Sequence, residues 1–270
     1  MKIIIPSRRR WTSYKRGTIK YIPLSLMKDV IIAVHESETT EYVKSLDPAW
    51  VSAGIRVLPY GYENLAEKRS LVIMTMVEEN VDKYCLIDDD LVFLIRRDAT
   101  GFSMRNQEEA DTLAMFDYID RLLDTYPHGA ISPREGNNRV GNGTREQLDR
   151  EITRAMRFHF FRTKECLEME HSRVKDLEDF DFTLQMLKAG YKNVVPYWYS
   201  QGQGKTQAAG GCSVYRTHKV HEDAANLLVQ LHPGLVTKRL KQNKTDADGF
   251  GTRTEVTVQW KKAYKSSGRR

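Results

Sequence analysis

Short apolar runs ended by polar turns organise the first third of the chain. Lys2–Pro6 and residues 29–35 are rich in Ile and Val, which predicts two buried strands. Residues 37–46 carry a helical pattern, with Ser37 or Thr39 as its cap. Residues 54–58 predict a third strand, stopped by Pro59 and Gly61. Residues 64–80 predict a long helix capped by Asn64. Lys83–Ile87 predicts a fourth strand, which runs straight into Asp88-Asp89-Asp90. Alternating strands and helices predict an open α/β sheet, mostly parallel. In such a sheet, polar groups at the carboxyl ends of strands line the ligand crevice.

The later pattern is more mixed. It predicts a helix over 106–125, a strand over 129–132, a Gly/Asn loop over 135–144 and a strand over 158–161. A helix over 179–189 is closed by Gly190, and residues 193–199 read as a strand. Residues 202–211 form a Gly-rich loop expected to be mobile. Residues 217–231 predict a helix ended by Pro233-Gly234. Residues 255–260 alternate like an edge strand, and 266–270 read as a flexible basic tail.

With 270 residues, 40% hydrophobic and 29% charged, the chain is long enough for one substantial domain or two small ones. This composition excludes a collagen, a disulfide-stapled mini-protein and a wholly disordered chain. The longest apolar runs, residues 71–77 and 30–34, fall far short of the roughly 18–20 residues of a membrane span. The apolar start is broken at once by Pro6 and Arg8-Arg9-Arg10, so no secretory segment is read and a cytoplasmic protein is expected. Cys85, Cys166 and Cys212 are far apart and odd in number, which predicts reduced, buried thiols.

Charge changes the picture. The net charge is +6, but residues 1–20 carry +7, residues 234–270 another +7, and the body between them −8. Basic ends around an acidic body point to a polyanionic partner, either nucleic acid or a phosphorylated donor. Solvated terminal charge is the plainer alternative.

Asp88-Asp89-Asp90 carries the strongest chemical signal. Consecutive carboxylates after an apolar strand repel one another unless a cation neutralises them. Extended alternation would put Asp88 and Asp90 on one side. Hard oxygen ligands suit Mg²⁺ or Mn²⁺, with substrate phosphates completing the shell. An acidic helix-capping turn is the structural alternative. Glu178-Asp179-Phe180-Asp181 is the second motif. Acids there cap a helix, or one of them acts as a general base toward an alcohol, with Asp179 the first candidate and Glu178 the second. The third is the loop Pro6-Ser7-Arg8-Arg9-Arg10, placed to meet a diphosphate or base, with Glu36, Lys68 and Arg69 at neighbouring strand ends. A fourth, residues 132–139, offers Arg134, Asn138 and Arg139 to an acceptor or is an ordinary turn. His218 and His221, at helical spacing, are a candidate third metal ligand or plain surface residues. Neither a phosphate-binding P-loop, a G-x-G-x-x-G after the first strand, nor a G-x-S-x-G elbow is present.

Taken in order, these pieces resemble a glycosyltransferase of the GT-A fold. The runs Ile5-Pro6-Ser7-Arg8, Ile87-Asp88-Asp89-Asp90-Leu91, Glu178-Asp179-Phe180-Asp181, Gly210-Gly211-Cys212-Ser213-Val214-Tyr215-Arg216 and Val258-Gln259-Trp260-Lys261-Lys262-Ala263 look like the phage TET-associated glycosyltransferases. Those enzymes attach sugars to 5-hydroxymethylpyrimidines in phage DNA. The resemblance implies one GT-A domain over 1–265, with a nucleotide-sugar half (1–100) and an acceptor half (101–265). It implies a nucleotide-sugar donor, expected to be a UDP-sugar, bound near Pro6, Ser7, Arg8, Glu36, Arg69, Asp88 and Asp89. Asp90 and Asp88 would hold Mn²⁺ or Mg²⁺ on the diphosphate. Asp179, or else Glu178 or Asp181, would deprotonate the hydroxymethyl group of 5-hydroxymethylcytosine for an inverting displacement. Arg134, Asn138, Arg139, Trp260 and Lys261 would face DNA, although Trp260 reads equally well as a buried edge-strand residue. Host cytoplasm is the implied location, and no obligate protein partner or membrane is implied. The rival readings are a GT-A enzyme with a non-DNA acceptor, a metal-dependent nucleotidyltransferase or other phosphoryl-transfer enzyme, and a non-enzymatic nucleic-acid module.

Overall fold

The fold is described from a computed structural model covering residues 1–134, 140–203, 217–242 and 252–268. The first half alternates as the pattern predicts: β1 (Lys2–Pro6), β2 (Val30–His35), α1 (Thr39–Ser45), α2 (Pro48–Ser52), β3 (Arg56–Tyr60), α3 (Leu65–Glu78) and β4 (Lys83–Ile87). These four strands run parallel in the order β3-β2-β1-β4. The central pair is apolar on both faces because both are covered. Ile3 and Ile5 join a cluster with Tyr42 of α1, whereas Ile4 faces Val72, Ile73 and Met76 of α3. Helix α3 starts where Asn64 accepts the Glu67 amide at 3.1 Å, while the Glu67 side chain accepts the Glu63 amide at 2.8 Å.

The second half follows with β5 (Leu91–Arg96), β6 (Met104–Asn106), α4 (Glu109–Thr125), β7 (His128–Ala130), β8 (Ser132–Pro133), β9 (Asp149–Glu151), β10 (Phe158–Arg162), α5 (Thr163–Cys166), α6 (Glu178–Lys188), β11 (Asn193–Pro196), β12 (Tyr199–Gln203), α7 (His218–Leu231), β13 (Val236–Gln242), β14 (Thr252–Val258) and α8 (Trp260–Lys265). The main sheet continues as β4-β10-β7-β11-β9, with β10 and β9 antiparallel to their neighbours. A second sheet, β6-β5-β12-β8, is joined to it. Helix α4 covers the face shared with α1, since Met115, Phe116, Ile119 and Leu123 join the Ile3 and Ile5 cluster. Helix α6 lies on the α3 side through Phe182 and Met186. Its opposite flank, Phe180, Leu184 and Leu187, packs on Leu228 of α7, Val236 of β13 and Ala263 of α8.

Several boundaries differ from the sequence expectation. The strand expected over 193–199 is two strands, because Pro196 has no amide to donate and ends β11. The chain then enters the second sheet as β12. Residues 128–133 split likewise into β7 and β8, so β7 pairs with β11 in one sheet and β8 with β12 in the next. Asn106 closes β6 instead of opening a helix, and α4 begins behind a Glu108–Asp111 capping box. Strands β5 and β13 were not expected. The closing strand is Thr252–Val258, and Trp260 opens α8. Among the described residues, no helix is long and apolar enough to cross a membrane. Cys85 and Cys166 are buried free thiols, while Cys212 and most of the Gly-rich stretch after Gln203 lie outside the described residues.

Candidate active site

Strand β4 delivers the three aspartates into a tight turn before β5. This turn replaces the extended alternation expected of residues 88–90. Asp89 points inward, 6% exposed, and accepts hydrogen bonds from Ser7 and Arg10. Thr18 staples the turn: its amide donates to the Asp89 carbonyl at 3.1 Å and its hydroxyl accepts the Leu91 amide at 3.0 Å. The same hydroxyl donates to the Asp88 carbonyl. Gly17 is needed beside it, since a Cβ there would lie 2.0 Å from the Asp89 carbonyl oxygen. Gly17→Ala is therefore expected to cost about 1–3 kcal/mol of stability. A lowered denaturant midpoint would report that loss, and an unchanged midpoint would show that the turn yields.

Asp90 is bonded on both oxygens. Arg10 donates to Oδ2 at 3.0 Å and Gln203 to Oδ1 at 2.9 Å. The Asp88 amide is anchored on the Arg157 carbonyl at 3.0 Å. Burial and the Asp90 carboxylate push the Asp88 carboxyl up to about 7, against the pull of Arg69. Mutually repelling carboxylates of this kind fit a hard divalent cation. Among the described residues no three His, Cys, Asp or Glu side chains converge as a protein-only cage. The ion would therefore complete its shell from water and substrate oxygens.

The carboxyl ends of β1 and β2 build a second wall. After Pro6, the Ser7 hydroxyl lies 2.6 Å from the Tyr42 hydroxyl, and its amide donates to Ala33 at 2.9 Å. Arg8 pairs with Glu38 at 3.1 Å and lies over the Tyr62 ring. The Lys68 ammonium sits 4.4 Å from the same ring centre and donates to the Ser7 carbonyl at 3.3 Å. Glu38 is buried, and it also accepts the Arg9 amide at 2.8 Å. The neighbouring candidate Glu36 is exposed in the same short turn. Arg9, with φ of 52°, bends the loop back toward Glu38.

The acidic segment 176–181 meets helix α3 through Arg69. Leu177 adopts a left-handed conformation (φ 62°) and turns the chain into α6. Glu178 is buried and pairs with Arg69 at 3.1 Å. The two residues line a cleft with Tyr84, Leu86, His171 and Phe182. Arg69 also lowers the Asp88 carboxyl, so one guanidinium couples the two acidic motifs. Asp181 is committed elsewhere, taking Arg173 at 2.8 Å on both oxygens, Gln185 at 2.9 Å and His232 at 2.7 Å. Burial would raise its pKa, but His232 and Arg173 outweigh that and hold it below the usual value. Asp176 is buried against His221 at 2.6 Å. Asp179 is half-buried and has no hydrogen-bond or ion-pair partner among the described residues.

The histidine reading is corrected by this geometry. His221 spends its second ring nitrogen on the Thr254 carbonyl at 2.9 Å, which leaves neither nitrogen for a metal. His218 is exposed at the start of α7. Of the acceptor candidates, Arg134 is exposed just after β8, while Asn138 and Arg139 lie outside the described residues, as does the run 210–216. Trp260 is half-buried, its ring 5.7 Å from that of Phe180, and Lys261 is exposed. Sequence reasoning passed over Glu38, Gln203, Thr18 and the pivotal role of Arg10. Arg10 had a signal, the basic triplet after β1. The others had none, because their partners are remote in sequence.

Comparison with solved structures gives the fold. The Pyrobaculum calidifontis mannosyltransferase PcManGT, in complex with GDP-Man and Mn²⁺, aligns with a TM-score of 0.52 at 12% identity, over 85% of this chain and 61% of that one. Staphylococcus aureus TarS 1-349 aligns at 0.48 and 12% identity over 85% and 65% of the two chains. GalNAc-T7 with UDP, GalNAc and Mn²⁺ aligns at 0.48 and 11% identity over 75% and 43%. The chain thus spans 43–65% of the length of these three proteins. A search of curated protein sequences returned no relative. The fold is the GT-A type of nucleotide-sugar enzymes. The family description TET-Associated Glycosyltransferase matches residues 1–211, a stretch holding the aspartate turn, the basic loop after β1 and the acidic segment before α6. The chain belongs to the TET-associated glycosyltransferase family.

Proposed function

We propose that this enzyme moves a sugar from a nucleotide-sugar donor, expected to be a UDP-sugar, to the hydroxymethyl group of a modified pyrimidine in DNA, 5-hydroxymethylcytosine foremost. The observation that carries the reading is the Arg69 bridge. Arg69 pairs with Glu178 at 3.1 Å and its charge also acts on the Asp88 carboxyl, which supports a reading in which donor activation and acceptor deprotonation share a site. The family assignment supports the DNA acceptor, and the Mn²⁺ and nucleotide sugars in the names of aligned structures support the donor side.

In this reading residues 1–100 hold the donor and 101–265 serve the acceptor. Ser7, Arg8, Glu38, Tyr62 and Lys68 cradle the nucleotide at the ends of β1 and β2. Asp88 and Asp90 would hold Mn²⁺ or Mg²⁺, which supplies Lewis-acid stabilisation of the leaving diphosphate when bound. Arg10 and Arg69 add fixed positive charge around that leaving group. Asp179 accepts the hydroxymethyl proton as the oxygen attacks the anomeric carbon in one displacement, which inverts its configuration. Arg69 holds Glu178 in place, and Asp181 fixes the helix instead of acting as base. In duplex DNA the acceptor group faces the major groove, and a flipped base would bring it to Asp179.

The test is direct. The protein is incubated with Mn²⁺, a panel of nucleotide sugars and duplex DNA bearing 5-hydroxymethylcytosine or plain cytosine, and the digested nucleosides are weighed. A hexose- or pentose-sized gain confined to hydroxymethylated DNA is expected. Metal-dependent donor hydrolysis without any gain on DNA would move the acceptor to another class of molecule.

A further inference from the structure

The chain beyond the family match folds into a unit with its own shape. Strands β13 and β14 pair antiparallel from Val236↔Val258 to Gln242↔Thr252. Residues 237–241 of β13 are exposed, whereas β14 turns Thr254, Val256 and Val258 toward the α6–α7–α8 cluster, so β13 presents its charged side chains to solvent. Successive side chains on it are Lys238, Arg239, Leu240 and Lys241, and Leu240 is 75% exposed. Arg239 and Lys241 share a single carboxylate, Glu255, at 3.1 and 2.8 Å, while Lys238 reaches the neutral Asn226. Positive charge is therefore in excess along the ribbon. At its base, α8 adds exposed Lys261, Lys262 and Lys265, held there as Lys262 donates to the Gly234 carbonyl at 3.1 Å.

The ribbon is also tied to the acidic segment. His221, near the start of α7, joins Asp176 to the Thr254 carbonyl of β14. His232, just after α7 and before β13, is fully buried against Asp181. The two ends of α7 thus grip the residues on either side of Glu178 and Asp179. The ribbon is thereby held in a fixed relation to the helix start that carries Glu178 and Asp179.

We propose that the β13–β14 ribbon, with the lysine side of α8, is the arm by which this enzyme docks on duplex DNA. The proposal rests on the DNA-acceptor reading above. A two-stranded ribbon is one of the elements that the major groove admits, and a substituent on pyrimidine C5 projects into that groove. Lysine and arginine along the ribbon would neutralise phosphates, and exposed Leu240 offers the apolar contact that a thymine methyl takes. The His–Asp ties then set the register between the groove and Asp179.

Binding of a duplex carrying 5-hydroxymethylcytosine to the full chain is followed by fluorescence anisotropy across a salt series. Three proteins are compared: wild type, a ribbon variant (Lys238→Gln, Arg239→Gln, Lys241→Gln) and a charge-matched control (Lys28→Gln, Lys44→Gln, Lys188→Gln). The ribbon variant is expected to bind at least about tenfold more weakly, with a log–log salt slope shallower by about 2–3. Its melting temperature should match wild type, because the substituted side chains are exposed. The control should keep the wild-type slope. Wild-type affinity in the ribbon variant, or an equal loss in the control, overturns the arm. Failure of the wild type itself to bind DNA overturns the acceptor reading, and the arm with it.

Discussion

Asp179→Asn is expected to lower sugar transfer about 10²–10⁴-fold, the usual worth of a positioned general base. The loss should fall on kcat, with little change in KM for the donor, because in the proposed role the residue meets the acceptor hydroxyl and not the nucleotide. The reasoning is one of elimination around a single helix start. Asp176 is taken by His221, Glu178 by Arg69, and Asp181 by Arg173, Gln185 and His232. Asp179 alone among them has no partner among the described residues. Glu178→Gln serves as the contrast. It should raise KM as well, since it frees Arg69, whose charge acts on the Asp88 carboxyl. A near-normal kcat in Asp179→Asn with a large loss in Glu178→Gln would transfer the base role to Glu178.

The sequence already carried the parts of this site that are local. Isoleucine and valine runs marked β1 and β2, an apolar run ending in Leu86-Ile87 marked β4, and the aspartate triplet followed β4 where a crevice was expected. Asn64 and Thr217 announced helix starts through side-chain bonds to amides three residues on. What stayed hidden depends on distant partners. Leu91–Arg96 reads as an apolar tail to the triplet until β12 pairs with it. Lys238 to Lys241 has no apolar alternation, so β13 exists only through its partner β14. Pattern alone gave no reason to favour Glu38 over Glu36; the turn after β2 buries one and exposes the other. The sharing of Asp181 between Arg173 and His232 joins residues up to 51 positions apart, and no local period encodes it. The acidic motif 178–181 therefore offered three candidates in sequence, and contacts leave Asp179 as the one without a partner among the described residues.

Asp90→Asn is expected to cost about 10³-fold in transfer, since several kcal/mol of Lewis-acid stabilisation depend on holding the ion. Isothermal titration should show weaker Mn²⁺ binding to the same variant, and chelation should silence the wild type until Mn²⁺ is restored. The asparagine keeps a carbonyl oxygen for Gln203, so the fold has little reason to fail. Wild-type Mn²⁺ affinity and turnover in Asp90→Asn would remove Asp90 from the metal site. Arg10 sharpens the same experiment. It donates to Asp90 at 3.0 Å on the oxygen opposite Gln203, so both oxygens of Asp90 are engaged. A carboxylate oxygen keeps a second lone pair, so an ion can share Asp90 with Gln203, but it meets the repulsive Arg10 charge beside Oδ2, and Arg10 has a second hold on Asp89 to pivot upon. Arg10→Gln should accordingly tighten Mn²⁺ binding without donor while weakening nucleotide binding. The first effect lifts a competitor, and the second removes a cation from the diphosphate. The gain in Mn²⁺ affinity should vanish when Arg10→Gln is made in the Asp90→Asn background if Arg10 competes for Asp90, whereas a general change in charge would persist there.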